Sequence, residues 1–196
     1  MSTALALTDD VNVITLRMRG DAPPAWSQLL GWPAIGADEV SFGGPHQRAR
    51  EHAAAKLDGA VRLALKPVML VAEGAACFAT AWWARLTPEH EMTRVAGAVF
   101  FAPFGREADR ARAAFASPNA PLPFPSLLLD PDNVPARRRE LERLAREWGG
   151  SAVATPRMLS APPRPASAWR QAQGLLSGYT ARIVKRDIRL AHVRTR

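Results

Sequence analysis

The sequence predicts a three-layer α/β/α domain with a mostly parallel sheet of five or six strands. Short apolar segments alternate with longer amphipathic ones along most of the chain, which is the order of β–α–β units with parallel strands. Some of the short segments are apolar throughout, as strands buried on both faces are. No repeat with a period of about 20–50 residues is present, which argues against a solenoid or propeller.

In the first part of the chain, strand and helix patterns follow one another. Val11–Met18 alternates apolar and polar residues and is predicted as a strand that Gly20–Pro24 ends. Trp26–Trp32 is predicted as a short helix and Glu39–Phe42 as a weak strand. Pro45–Leu65 is predicted as a helix, because apolar residues recur there every four positions.

The middle of the chain continues the pattern. Pro67–Val71 is a continuous apolar run and is predicted as a buried strand, followed by a helix over Gly74–Leu86. Val95–Phe101 is predicted as a second buried strand. A short helix is expected over Arg106–Phe115, before the proline-rich loop Ser117–Pro125.

The last elements follow the same order. Ser126–Leu129 is predicted as a short strand that ends at Asp130. Pro135–Trp148 is predicted as a helix, with proline near its start and Gly149-Gly150 at its end. Ser151–Ala154 is predicted as a weak strand, and Ala166–Leu176 as a last helix after an irregular stretch.

Size and composition favour one domain of residues 1–177 with an extension of residues 178–196. The 196 residues suit a single ordinary domain, and Cys77 is the only cysteine, so the chain can form no internal disulfide. The sequence contains no run of about 18 apolar residues, the length that would indicate a membrane span. The start of the sequence has no basic region ahead of an apolar one, so we expect a cytoplasmic protein without membrane association.

The positive charge is concentrated in the extension. Residues 179–196 hold six basic residues and one acidic residue, a net charge of +5 out of +8 for the chain. Apolar residues interrupt the basic ones, so the extension is expected to dock on the body, on a second copy or on another protein. A nucleic-acid partner is less favoured, because only Tyr179 could stack on a base. The predicted partner-binding residues are Arg182, Lys185, Arg186 and Arg189.

The segment Pro67–Ala84, PVMLVAEGAACFATAWWA, is the most informative part of the sequence. A buried strand, a turn of small residues and a helix are the parts of a nucleophile elbow, which reads G-x-S-x-G in α/β-hydrolases. We call Ala72–Ala76, which fits these five positions, the elbow. Gly74 occupies the place of the nucleophilic serine.

Six segments in the same order resemble the small single-domain serine hydrolases related to retinoblastoma-binding protein nine. The resemblance runs from about Val11 to Leu176 and implies an α/β-hydrolase fold. The segments that carry it are Trp26, the strand Pro67–Val71, the helix with Cys77 and Trp82–Ala84, Ala102-Pro103, Leu122–Ser126 and Trp148-Gly149.

The resemblance also implies a degenerate catalytic triad. Gly74 stands at the nucleophile position, and Glu73 stands where the family has a histidine beside it. The acid position falls on Asp130, Asp132 or Asn133, with Asn133 in the best register. The base is expected within Thr155–Ala161, which contains no histidine.

Several residues remain candidates for binding or chemistry. Glu73, Gly74, Ala75 and Asp132 are the predicted ligand-binding residues, since open α/β sheets bind ligands beyond the carboxyl ends of their strands. Backbone N–H groups at the elbow could hold an anion, although a tight turn explains the same small residues. Cys77 is a weak candidate for a substitute nucleophile, and a buried core residue is the favoured interpretation.

Histidines, metals and cofactors add little to this prediction. His46, His52 and His90 are expected at the surface, and His192 alone follows the acid segment, far from the expected base position. No metal-ligand pattern, P-loop or dinucleotide fingerprint is present, so no metal or cofactor is predicted.

The predicted function is therefore binding rather than catalysis. A domain without a nucleophile and a base would bind a small ligand or a protein partner in the cleft that forms the active site of catalytic relatives. The first alternative is an active esterase that uses Cys77, Ser41 or Ser160 as nucleophile. The second alternative is an interaction module that acts through the basic extension.

Overall fold

The computed structural model describes residues 11–21, 38–43, 46–130 and 134–154. Six strands form one sheet in which every adjacent pair is parallel. Helices flank this sheet, which confirms the predicted α/β/α class. The strands are β1 (Asn12–Met18), β2 (Asp38–Phe42), β3 (Val68–Glu73), β4 (Val95–Phe101), β5 (Ser126–Asp130) and β6 (Ser151–Ala154).

The described helices connect consecutive strands, as parallel pairing requires. They are α1 (Gln47–Leu63), α2 (Ala76–Leu86), α3 (Glu89–Met92), α4 (Arg106–Ala114) and α5 (Pro135–Glu147). The single turn α3 contains His90, which is exposed. None of the described helices is long and apolar enough to cross a membrane.

The strand order β2-β1-β3-β4-β5-β6 places a switch point between β1 and β3. The chain moves outward from β1 to β2, returns to the other side of β1 at β3, and then continues in one direction. Thr15 of β1 pairs in register with Val71 of β3. The crevice beyond the carboxyl ends of these two strands is where open α/β sheets bind their ligands.

Apolar residues are buried on both faces of the sheet. The first face, which includes Leu16, Leu70 and Phe100, packs against the buried residues of all five described helices. Val71 and Val99 belong to a smaller cluster on the second face, which contains no residue of a described helix. The described helices therefore form a layer on the first face.

Two strands extend further than their apolar runs. β3 continues through Ala72 to Glu73, and β5 includes Asp130, which is 5% exposed. Both additions bring polar side chains to the carboxyl edge of the sheet. The helix predicted at Trp26–Trp32 and the one at Ala166–Leu176 lie outside the described residues, as do Asp132, Asn133 and the whole extension.

Candidate functional site

The elbow joins β3 to α2 through a left-handed glycine. Gly74 has φ +55°, and its N–H donates a hydrogen bond of 2.9 Å to the carbonyl oxygen of Phe101 in β4. α2 begins two residues later, at Ala76. A sharp turn that lifts one residue above the sheet between strand and helix is the geometry of a nucleophile elbow.

The residue at the nucleophile position of this turn, Gly74, has no side chain. A Cβ at position 74 would have no described heavy atom within 4 Å apart from its chain neighbours, so the space beside Gly74 is open. Glycine adopts the left-handed conformation without steric cost, and it offers no atom that could attack a substrate. The elbow thus keeps the backbone geometry of a nucleophile site without a nucleophile.

A cavity of about 280 Å³ lies directly over this turn. We call it the elbow cavity. It occupies the switch point, because β1 and β3 both supply lining residues at their carboxyl ends. The described lining consists of Thr15, Leu16, Arg17, Asp21, Val71, Glu73, Gly74, Ala75, Phe104, Glu107 and Ala108. Of the predicted ligand-binding residues, Glu73, Gly74 and Ala75 therefore share one cavity, and Asp132 lies outside the described residues.

Carboxylates outnumber guanidinium groups in the described lining. Asp21, Glu73 and Glu107 are acidic, and Arg17 is the one arginine among them. Arg17 forms an ion pair of 2.6 Å with Glu39 of β2. Its positive charge is thus offset by Glu39, and the described lining as a whole has more acidic than basic side chains.

A neighbouring cavity of about 300 Å³ widens the cleft toward α4. Asp21, Ala75 and Glu107 line both spaces. Arg110 lines the second cavity and forms a 2.6 Å ion pair with Glu107. The cleft beside the elbow is consequently longer than the elbow cavity alone.

Cys77 lies below the elbow with its thiol buried. Its side chain is fully buried, and its Sγ lies 3.5 Å from the carbonyl oxygen of Phe101. Burial raises the pKa of the thiol well above its ordinary value, and the nearby charge of Glu73 raises that pKa further. A thiol with a raised pKa stays protonated and is a poor nucleophile at neutral pH. These features favour the core interpretation of Cys77.

Asp130, the described member of the three candidates for the acid position, has structural partners. Its Oδ2 accepts a hydrogen bond of 3.3 Å from the backbone N–H of Val134, just before α5. Its Oδ1 lies 3.9 Å from Nη1 of Arg137 in the first turn of that helix. The carboxylate thereby ties the end of β5 to the start of α5. Asp132 and Asn133 lie outside the described residues.

The described histidines are remote from a triad arrangement. His46, His52 and His90 are exposed, as the sequence predicts, and none of them lines the elbow cavity. In residues 11–21, 38–43, 46–130 and 134–154, no serine or cysteine side chain hydrogen-bonds to a histidine side chain. Ser41 is half-buried in β2. Ser160 and His192 lie outside the described residues.

Eight residues of the described lining are not among the predicted ligand-binding residues, and four of these eight have a charged or aromatic side chain. Arg17, Asp21, Phe104 and Glu107 come to the elbow through the packing of β1, the loop after β4 and the first turn of α4. The only available signal is position, since three of the four lie at or just after the carboxyl end of a predicted strand. Ala102, beside them, has φ +44°, a backbone strain typical of functional loops.

Metal binding finds no support in the described part of the chain. No group of three or more His, Cys, Asp or Glu residues there could hold a metal ion. The three acidic residues of the elbow cavity do not form such a group.

Comparison with known proteins agrees with this geometry. The chain is similar in structure to a YdeN-like hydrolase from Pectobacterium atrosepticum, with a TM-score of 0.67 and 14% sequence identity. The superposition covers 91% of this chain and 95% of that protein. At this identity, the likeness shows the fold. No curated protein matches the sequence significantly.

A sequence model of one family covers more than half of the chain. It is the model for "Serine hydrolase", and it matches residues 24–158. The match includes the elbow, Asp130 and the first part of Thr155–Ala161, the window in which a base is expected. By this match and by its α/β-hydrolase fold, the chain belongs to the serine hydrolase family.

Proposed function

We propose that this protein is a non-catalytic member of its family that binds a small ligand in the elbow cavity. The observation that carries the proposal is Gly74, a left-handed residue at the nucleophile position beside open space. Acyl transfer by this fold needs a nucleophile there and a base that deprotonates it. The residues of the expected base window, Thr155–Ala161, include no histidine.

The retained cavity supports a binding role. A space of about 280 Å³ is near the lower end of the range for small-molecule sites. Its lining combines apolar groups from Val71 and Phe104 with polar groups from Thr15 and Glu73. Because carboxylates predominate, we assign it a ligand with a small apolar body and an ammonium or similar donor group.

The test of lost catalysis uses reagents for serine hydrolases. We expect no labelling by a fluorophosphonate probe and no turnover of short-chain aryl esters beyond the buffer rate. A serine hydrolase of established activity serves as the positive control in the same assay. Robust labelling or turnover that a single point substitution abolishes would refute the proposal.

The test of ligand binding uses benzylamine as the probe and benzoate as its charge-reversed analogue. Benzylamine should bind saturably in the elbow cavity, and any binding of benzoate should be insensitive to substitutions in that cavity. Gly74→Phe should abolish binding by filling the cavity, whereas Gly20→Phe should not. Gly20 is the matched control, because it also has a positive φ and open space but lies outside the lining. Benzoate binding that Gly74→Phe abolishes, or benzylamine binding that survives Gly74→Phe, would contradict this ligand assignment.

The active-esterase alternative requires a nucleophile in contact with a base. Cys77 is buried with a raised pKa, and Ser41 has no histidine partner within the described residues. That alternative would gain support if Ser160→Ala or Cys77→Ala abolished a measured esterase activity. Retention of the full activity in both variants would exclude these two nucleophiles.

A further inference from the structure

A separate pocket lies at the far end of α2 from the elbow. Its volume is about 210 Å³. α2 starts at Ala76 beside the elbow and carries Arg85 in its last turn, about 13 Å further along the helix axis. We call this space the arginine pocket; its polar lining residues are Arg85, Arg112, Ser117, Asn119 and Glu147.

Arg85 has an unused hydrogen-bond donor in this pocket wall. Its Nε donates to the carbonyl oxygen of Ala120 at 2.7 Å, and its Nη1 donates to Oγ of Ser117 at 3.0 Å. Its Nη2 is buried and has no partner among the described residues. A buried donor without a partner is unfavourable by comparison with one that meets an acceptor. An oxygen acceptor that reached Nη2 after a small movement of the guanidinium group would satisfy it.

The charge around the pocket is positive. Glu147 pairs with Arg112 at 2.9 Å and with Arg143 at 2.6 Å. It also acts electrostatically on Arg85, whose pKa is lowered mainly by burial. Of the charged residues that line the pocket, two are arginines, Arg85 and Arg112, and one is a carboxylate, Glu147. An anion entering the pocket would meet uncompensated positive charge at short range.

The floor of the arginine pocket is apolar and firmly packed. Phe78 and Trp148 line it, and their rings meet edge to face with centroids 5.6 Å apart. Both side chains are less than one-tenth exposed, as is Leu144 beside them. Arg112 lies over the ring of Phe78, 6.0 Å from its centroid. A rigid floor with cationic walls suits a ligand that has an apolar body and an anionic end.

We propose that the arginine pocket binds a small oxyanion ligand, in which a carboxylate or phosphate group accepts hydrogen bonds from Arg85 and Arg112. Ser117 and Asn119 supply neutral hydrogen-bonding groups at the rim. This site is distinct from the elbow cavity, since the two share no described lining residue. The proposal stands whether or not the elbow cavity binds a ligand.

The competing explanation is a purely structural role for Arg85. Its bonds to Ser117 and Ala120 hold the proline-rich loop before β5, which would account for the residue without a ligand. Arg112 separates the two explanations, because it makes no bond to that loop and Glu147 keeps Arg143 when Arg112 is replaced. Arg112→Gln should therefore preserve the fold and lower the affinity of the pocket for its ligand.

The experiment titrates the full chain with inorganic phosphate and, separately, with benzoate. The ¹H–¹⁵N signals of the arginine Nε–H groups report binding, and far-UV circular dichroism checks the fold of each variant. We expect a saturable shift of the Arg85 signal with at least one anion. Arg112→Gln should weaken binding about tenfold, the effect of one charge-assisted hydrogen bond.

Arg139→Gln is the matched control, because Arg139 is exposed on α5 and lies outside the described lining of the pocket. Both arginine variants lower the net charge equally. Saturation by phosphate alone would assign a phosphate ligand, and saturation by benzoate alone a carboxylate ligand; either supports the site. Absence of saturation with both anions, or equal weakening by Arg112→Gln and Arg139→Gln, would overturn the proposal.

Discussion

Gly74 determines what the elbow can do. The backbone turns as it does at a nucleophile, with φ +55° and a hydrogen bond to Phe101. Apart from its chain neighbours, no heavy atom of the described residues lies within 4 Å of a Cβ built at this position. In the proposed non-catalytic role, the missing nucleophile is therefore a property of one residue, and no described neighbour forbids a serine there.

This geometry predicts a small and local effect of Gly74→Ser on stability. The left-handed backbone should cost a non-glycine residue about 1 kcal/mol. Gly20→Ser should show a similar loss, because Gly20 has φ +91° and equally open surroundings. Urea denaturation of the two variants checks this. A loss several times larger for Gly74→Ser would mean that the space beside the elbow is filled.

Cys77 supplies a second prediction, because its pKa is raised by burial and by Glu73. The native thiol should resist a disulfide reagent at neutral pH and react once urea unfolds the chain. Fast reaction of the native protein would contradict its burial.

The same raised pKa fixes the sign of a pH dependence. Deprotonation is easier in the unfolded chain, where the thiol has its ordinary pKa, than in the folded protein. The contribution to stability is therefore full below the ordinary pKa and is lost as the pH rises above it. Cys77→Ala should remove this alkaline loss, measured as the difference in free energy of unfolding between wild type and variant.

Part of the candidate site is predictable from the residues. Glu73, Gly74 and Ala75 follow a buried strand, and the rule for parallel sheets places them at the cavity. Glu107 is not predictable in this way, since it reaches the cavity through tertiary packing of a helix start. The arginine pocket is equally hidden, because α2, α4, α5 and a loop each supply part of it.

At the scale of elements, two glycines give opposite predictions for alanine substitution. Gly59 lies within α1, and a Cβ there would meet no described heavy atom within 4 Å. Gly59→Ala should stabilise the fold by about 0.5–1 kcal/mol through reduced freedom of the unfolded chain. Gly150, between α5 and β6, packs against Ser126 of β5, whose carbonyl oxygen would lie 2.7 Å from an added Cβ.

Gly150→Ala should therefore destabilise the fold by roughly 2 kcal/mol or more, since backbone must shift to admit the methyl group. Thermal or urea unfolding of the two variants measures both effects. Stabilisation by Gly150→Ala would show that β5 and β6 are not packed as the structure has them.

Element boundaries show where sequence patterns stop being informative. The strand at Val95–Phe101 and the strand at Ser151–Ala154 have the predicted bounds, because turn residues or charge enclose their apolar runs. β3 and β5 instead extend into polar residues, Glu73 and Asp130, since sheet hydrogen bonds continue past the apolar segment. The one-turn helix α3 is too short to show a period of its own.

At the scale of the whole molecule, the two faces of the sheet are covered differently. All buried apolar residues of the described helices belong to the cluster on the first face, yet Val13, Met69 and Leu127 on the second face are buried as well. A helix predicted at Ala166–Leu176 accords with an α/β/α arrangement. The chain beyond β6 is thus expected to be necessary for the sheet.

Two truncations test this expectation and the role of the extension. Deletion of residues 178–196 should leave a cooperatively folded body and remove partner binding through Arg182, Lys185, Arg186 and Arg189. Deletion of residues 155–196 should expose the second face and abolish cooperative unfolding. Circular dichroism melts and a comparison of oligomeric state measure both outcomes. Unchanged folding after the longer deletion would contradict the expectation for the sheet. An unchanged oligomeric state and unchanged partner recovery after the shorter deletion would contradict the binding role of the extension.

The central claim, that this serine hydrolase fold has lost acyl transfer at its elbow, is tested most directly by intact-mass analysis after fluorophosphonate treatment. The wild-type chain and Gly74→Ser are compared side by side. Because the expected base window lacks a histidine, we predict no adduct on either protein. A stoichiometric adduct on wild type, or one on Ser at position 74 of the variant, would show that activating machinery persists and would contradict the account.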